Sequence, residues 1–119
     1  MLTIYPEKQN RKAQDFCKSF INQADRPRYV LGCNEYAASI NDFVDVDGFI
    51  DEFTEETSYL GKPIVKLDSL PKESLVVSVV ALGRPLIALR KLEARGLVCL
   101  DYFNFVKYSG LGVKRIELF

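Results

Sequence analysis

Tyr29-Val30-Leu31-Gly32-Cys33-Asn34-Glu35-Tyr36-Ala37-Ala38 reads as a short apolar strand, a tight glycine turn and the opening of a helix. A helix that starts where a parallel strand ends presents backbone N–H groups and a positive dipole end to an anion. Nineteen residues after Gly32 comes Asp51, which closes a second apolar segment, Asp47-Gly48-Phe49-Ile50-Asp51. Sheets that hold dinucleotides place an acid at about this offset, on a ribose hydroxyl. Their fingerprint, G-x-G-x-x-G, is incomplete in this chain. Gly32 keeps the first glycine, Asn34 stands at the second and Ala37 at the third.

Strands and helices alternate outward from this stretch. Upstream, residues 6–23 form an amphipathic helix with Ala13, Phe16, Cys17, Phe20 and Ile21 on one stripe. Asp25-Arg26-Pro27 ends it. The central strand spans Arg28 to Leu31, and the helix after it runs from Asn34 to Phe43 with Asn34 as N-cap. Thr54 to Lys62 reads as a polar loop. Pro63 to Leu67 reads as a strand led by proline, hence an edge candidate. Leu75 to Val80 is β-branched and nearly all apolar, as befits a strand buried on both faces. A helix is expected over Pro85 to Arg95 and a strand over Leu97 to Leu100. Asp101 to Ser109 is dense in aromatics, and Lys114 to Phe119 is a candidate final strand. Val44-Asp45-Val46-Asp47-Gly48 only superficially resembles the D-x-G-x-x-G turn of a methyltransferase cofactor site. No second glycine and no helix-forming stretch follow it.

The expected fold is therefore α/β: a single Rossmann-like three-layer domain over residues 1–119 with a mostly parallel sheet. The N-terminal helix is an addition to a core over 28–105, and 106–119 is a C-terminal extension. Counting strands near residues 29, 48, 64, 77 and 98, the expected order is 3-2-1-4-5. That order reverses between the first and fourth strands, and ligands on such sheets sit outside the strand carboxyl ends at the reversal. Two loops meet there in this reading, Gly32-Cys33-Asn34-Glu35 and Ala81-Leu82-Gly83-Arg84, with Asp51 on the neighbouring strand.

Each of these residues has two readings. Gly32 serves a ligand or only a tight turn; Asn34 faces a ligand or only caps its helix. Arg84, beside Leu82 and Gly83, pairs with a phosphate or is simply exposed. Asp51 touches a hydroxyl or lines a solvated rim. Cys33 is a thiolate stabilised by the helix start or a small buried thiol. Glu35 is unfavourable beside a phosphate. The candidate ligand is a nucleotide or nucleotide-sugar, with no metal.

Composition narrows the chemistry. The chain has 119 residues, 48% of them hydrophobic and 27% charged, a globular composition. There is no histidine, which removes the commonest general base, the commonest zinc ligand and every Ser-His-Asp or Cys-His arrangement. Cys17, Cys33 and Cys99 are far apart, without a C-x-x-C pair, and suit a reducing cytoplasm. No apolar run approaches the roughly 20 residues that a membrane span needs. Net charge is zero, yet residues 31–60 hold eight acidic and no basic residues. Such an acidic rim repels phosphate backbones and argues against nucleic acid as partner.

The runs G-x-N-E-Y-A, V-D-G-F-I-D-E and L-G-K-P-I-V-K-L-D-S-L-P, then a valine-rich strand, resemble the Rossmann-like domain that precedes the catalytic domain in many FkbM-family methyltransferases. They are also similar to the nucleotide-sugar-binding N-terminal domain of bacterial sugar O- and N-acyltransferases. The resemblance covers about residues 28–105, and Asp101-Tyr102-Phe103-Asn104-Phe105 favours the FkbM-associated group. It implies that Gly32, Asn34, Glu35 and Tyr36 face a ligand and that Asp51 closes the second strand. It further implies an accessory domain for a downstream S-adenosylmethionine-dependent methyltransferase domain, whose motif is not among these residues. A binding module, a degenerate domain serving protein interaction or dimerisation, and an enzyme in its own right are the three functional readings, the last being the weakest.

Overall fold

Val30, Val76 and Val77 are fully buried, and the two strands that carry them lie side by side in the middle of the sheet. The computed structural model describes residues 7–22, 25–80, 90 and 92–116. In chain order these form α1 (Glu7–Asn22), β1 (Arg28–Leu31), α2 (Glu35–Phe43), β2 (Gly48–Ile50), β3 (Ser58–Tyr59), β4 (Lys62–Val65), β5 (Leu75–Ser78), β6 (Val98–Asp101) and α3 (Tyr102–Ser109). Leu67–Ser69 adds a single 3-10 turn, and residues 92–94 are helical.

The architecture is α/β, with six strands in the order β3-β4-β2-β1-β5-β6. Four of the five pairings are parallel, and β3 with β4 is antiparallel. This corrects the five-strand order 3-2-1-4-5 expected from the sequence: an added strand occupies the edge beside β4. It also corrects two local readings. The stretch from Thr54 to Lys62 is not all loop, and the Pro63 strand is not the edge. Leu60 (φ 54°) and Gly61 (φ 76°) both sit in the left-handed region, which suits a two-residue hairpin. Pro63 has no N–H to give, but Ile64 N–H donates to the Thr57 carbonyl at 3.0 Å and secures the hairpin.

Side chains alternate across the sheet. Val30, Phe49, Leu75, Val77 and Val79 point to one face, where they meet Phe16, Phe20, Ala37, Ile40, Tyr102 and Phe105 from the three helices. Phe16 stacks on Phe20 with ring centroids 5.7 Å apart, and Phe20 meets Phe105 edge-on at 5.5 Å. Ile50 and Val76 point to the other face and pack with Leu92 and Leu97.

Two findings concern the C-terminal part, the second of them a correction. The aromatic stretch is a helix, because Tyr102 and Phe105, three positions apart, are fully buried while Phe103 faces outward. Asp101 caps it by accepting from Asn104 N–H at 3.2 Å, and left-handed Gly110 ends it. Residues 112–116 form no strand. They are strapped along α2 instead: Lys114 N–H donates to Ser39 Oγ at 2.7 Å, and the Tyr102 hydroxyl donates to the Lys114 carbonyl. Residues 117–119 of the expected final strand lie outside the described residues, as does most of the expected helix over 85–95.

The start of the sheet is held by Arg28. Its side chain is buried, its Nη1 donates to the Phe20 carbonyl at 2.9 Å, and its Nη2 donates to the Asp45 carbonyl at 3.0 Å. One guanidinium thus joins the last turn of α1 to the loop before β2. Its positive charge also suits the negative end of that helix.

Candidate functional site

The turn after β1 is wedged between β2 and β5. Gly32 N–H donates to the Ile50 carbonyl at 2.9 Å, and Val79 N–H donates to the Leu31 carbonyl at 3.0 Å. Gly32 has φ 113°, a conformation that L side chains rarely adopt. A methyl group there would lie 2.9 Å from Val79 Cγ2 and 3.2 Å from Val80 Cγ2. The space beside this glycine is filled by valine side chains.

Asn34 is engaged by the protein around it. Its Oδ1 accepts from Tyr36 N–H and Ala37 N–H, each at 3.0 Å, which makes it the N-cap of α2. Its Nδ2 donates to the Val79 carbonyl at 3.4 Å. Its own carbonyl accepts from Ala38 N–H at 3.0 Å and from the Tyr59 hydroxyl at 3.2 Å. Glu35 begins the helix and lies 3.6 Å from Lys114 Nζ, both partners largely exposed; such a pair contributes little.

Asp51 also turns inward on its own loop. Its Oδ1 accepts from Phe53 N–H at 2.8 Å and from Thr54 N–H at 3.1 Å. Lys66 Nζ crosses the same loop and donates to the carbonyls of Asp51 at 2.7 Å and Thr54 at 3.0 Å. Burial pushes the Cys33 thiol upward, with Asp51 and then Glu56 adding to the effect. Cys17 and Cys99 are raised to about 11, chiefly by burial. The thiolate is the nucleophile, and burial shifts all three cysteines away from it.

The structure thus brings Gly32, Cys33, Asn34, Glu35 and Asp51 to the strand carboxyl ends. Leu82, Gly83 and Arg84, the other expected contributors, lie outside the described residues. The acidic block is split. Asp51, Glu52, Glu55 and Glu56 follow the carboxyl end of β2, whereas Asp42, Asp45 and Asp47 precede its start. The rim expected from the sequence therefore holds only part of the run, because α2 carries the chain back across the sheet. At the far end Lys62 Nζ contacts Asp45 at 2.7 Å, and its hydrogen bond holds the Asp45 carboxyl below its usual range.

Sequence reasoning missed Tyr59, Lys66 and Ser78. The first two act on backbone carbonyls, which leave no motif. Ser78 ends β5 beside Leu31 of β1 and Asp101 of β6. Its hydroxyl is buried and has no hydrogen-bond partner among the described residues. A serine closing a valine-rich strand was the available signal. Among the described residues no cluster of Cys, Asp and Glu is arranged to hold a metal ion, and no helix is long and apolar enough to cross a membrane. Comparison with protein-family models, with curated proteins and with solved structures found no match.

Proposed function

We propose that the chain is a non-catalytic, degenerate Rossmann-like domain of the cytoplasm that works as a protein-interaction module. One observation carries this reading: Gly32, Asn34 and Asp51 all spend their conformational freedom or polar atoms on the protein itself. A pyrophosphate needs a bare glycine edge and free amides at the helix start. Here Val79 and Val80 fill the first, and the Asn34 side chain takes the amides of Tyr36 and Ala37. The FkbM-type resemblance suggests a downstream methyltransferase domain as one partner, and a second copy of the chain is another.

Thermal melting in millimolar ADP, UDP and UDP-linked sugars tests the reading. A ligand that binds the native state raises the melting point by mass action. No shift is expected; a saturable rise with any of these compounds overturns the interaction reading.

A second reading, a nucleotide or nucleotide-sugar module of a sugar-modifying transferase, is favoured by Ser78. A buried hydroxyl without a partner costs about 1–3 kcal/mol, and this one ends a strand beside the reversal in strand order. If that reading holds, Ser78→Ala removes any nucleotide-induced rise in melting point while leaving the unliganded protein at least as stable.

A further inference from the structure

We propose that copies of this chain associate head to tail, the Phe53 loop of one seated in the groove between α1 and α3 of the next. This deepens the interaction reading and rests on it. Phe53 is 96% exposed, the most solvent-facing of the large apolar side chains among the described residues. Its backbone is fixed: Phe53 N–H is held by Asp51, and Lys66 pins the carbonyls on either side. The ring is thus displayed on an ordered loop. Glu55 and Glu56 follow it in the same loop, are exposed, and form no ion pair among the described residues.

The groove lies at the opposite end of the molecule. The last turn of α1 is fastened beside the start of β1 through Arg28. Helix α3 begins where β6 ends, so its last turn faces the same way. Between these turns is a groove of about 610 Å³ whose lining includes Ile21 and Leu111, with Lys18 and Lys107 among its polar members. Neither lysine has a carboxylate at ion-pair distance among the described residues. An apolar ring followed by two carboxylates with no ion-pair partner among the described residues therefore has a complement in a half-apolar groove that carries two lysines, Lys18 and Lys107, the second resting over the Tyr108 ring. The chain's formal net charge of zero adds no overall repulsion between copies.

With the knob of one copy in the groove of the next, the contact is heterologous, and it builds open chains where its rotation does not close. One aromatic anchor buries only about 150–250 Å², well below the roughly 1,200 Å² of a standard interface. The association is accordingly weak, concentration-dependent and, through its charges, weakened by salt.

Sedimentation velocity over a concentration series, at low and high salt, tests this with three samples. Wild type should gain mass with concentration and lose it in salt. Phe53→Ser alone and Lys18→Glu/Lys107→Glu alone should each stay monomeric, with melting points near wild type. Their equimolar mixture should give a dimer and nothing larger, since one copy supplies the loop and the other the groove. A wild type that stays monomeric in low salt, or a mixture that stays monomeric although wild type associates, overturns the head-to-tail contact. Either failure differs in readout from the nucleotide-dependent melting shift that overturns the interaction reading itself.

Discussion

The two ends of the sheet bury different polar groups, a guanidinium at the strand starts and a small hydroxyl at the carboxyl ends. At the strand starts, Arg28 is buried and its two terminal nitrogens are met by carbonyls of Phe20 and Asp45, while its Nε is buried with no hydrogen-bond partner among the described residues. Lys62 likewise reaches Asn41 at 2.6 Å and Asp45 at 2.7 Å. At the strand carboxyl ends, the Ser78 hydroxyl is buried with no hydrogen-bond partner among the described residues, Phe53 stands in solvent, and Asp51 binds its own loop while Asn34 reaches Val79 and Tyr59 reaches Asn34. Each end carries one buried polar atom without a partner among the described residues: a nitrogen of a guanidinium that is otherwise held at the first, and the whole hydroxyl of Ser78 at the second, where the most exposed ring, Phe53, also stands.

The sharpest way to break this contrast is Arg28→Ala. It leaves two carbonyls without their donor and opens a cavity, and should cost about 3 kcal/mol in urea unfolding. A loss within the scatter of surface substitutions would show that the strand starts do not anchor the fold. Alkali attacks the same end through Cys17. Its thiol is raised from 9.0 to about 11 by burial, so the unfolded chain releases the proton first. The resulting stability is intact below pH 9 and is lost as pH rises towards 11, a fall of roughly 2–3 kcal/mol by linkage. Unfolding free energies measured across that range check it; a flat profile means that the thiol is not shielded.

At the other end the effects are smaller. Asn34→Ala removes the α2 cap and should cost about 1 kcal/mol, whereas Asn34→Asp keeps an acceptor and should cost about half as much or less. Paired thermal melts distinguish them, and equal losses would assign the stabilisation to the Nδ2 contact with Val79 instead. Ser78→Ala should be neutral or stabilising by up to about 1 kcal/mol, because it deletes a buried hydroxyl with no partner among the described residues. A clear destabilisation would reveal that the hydroxyl makes a hydrogen bond after all.

Much of this architecture could be read from local pattern. The central β1–turn–α2 unit, the Asn34 cap and the valine-rich β5 are short-range features, written in alternation, capping chemistry and β-branching. What escaped was written in space. Strand β3 has only Ser58 and Tyr59, too few for a periodicity, and it exists because β4 offers an edge. The aromatic stretch was legible as apolar but not as helical, since its register depends on which rings α1 leaves room for. Asp51 carried a motif offset, yet the amides of Phe53 and Thr54 lie closer to its carboxylate than any ligand need. The eight acids looked like one patch until α2 carried three of them to the other end.

Tyr59 has a consequence for how the molecule opens. Its ring packs edge-on against Phe49 at 5.0 Å, and its hydroxyl reaches the Asn34 carbonyl across 25 residues of sequence. This bond ties the margin hairpin to the first turn of α2, and segments so joined are expected to open together. In native-state hydrogen exchange, amides in the two places should gain deuterium together, and Tyr59→Phe should uncouple their rates.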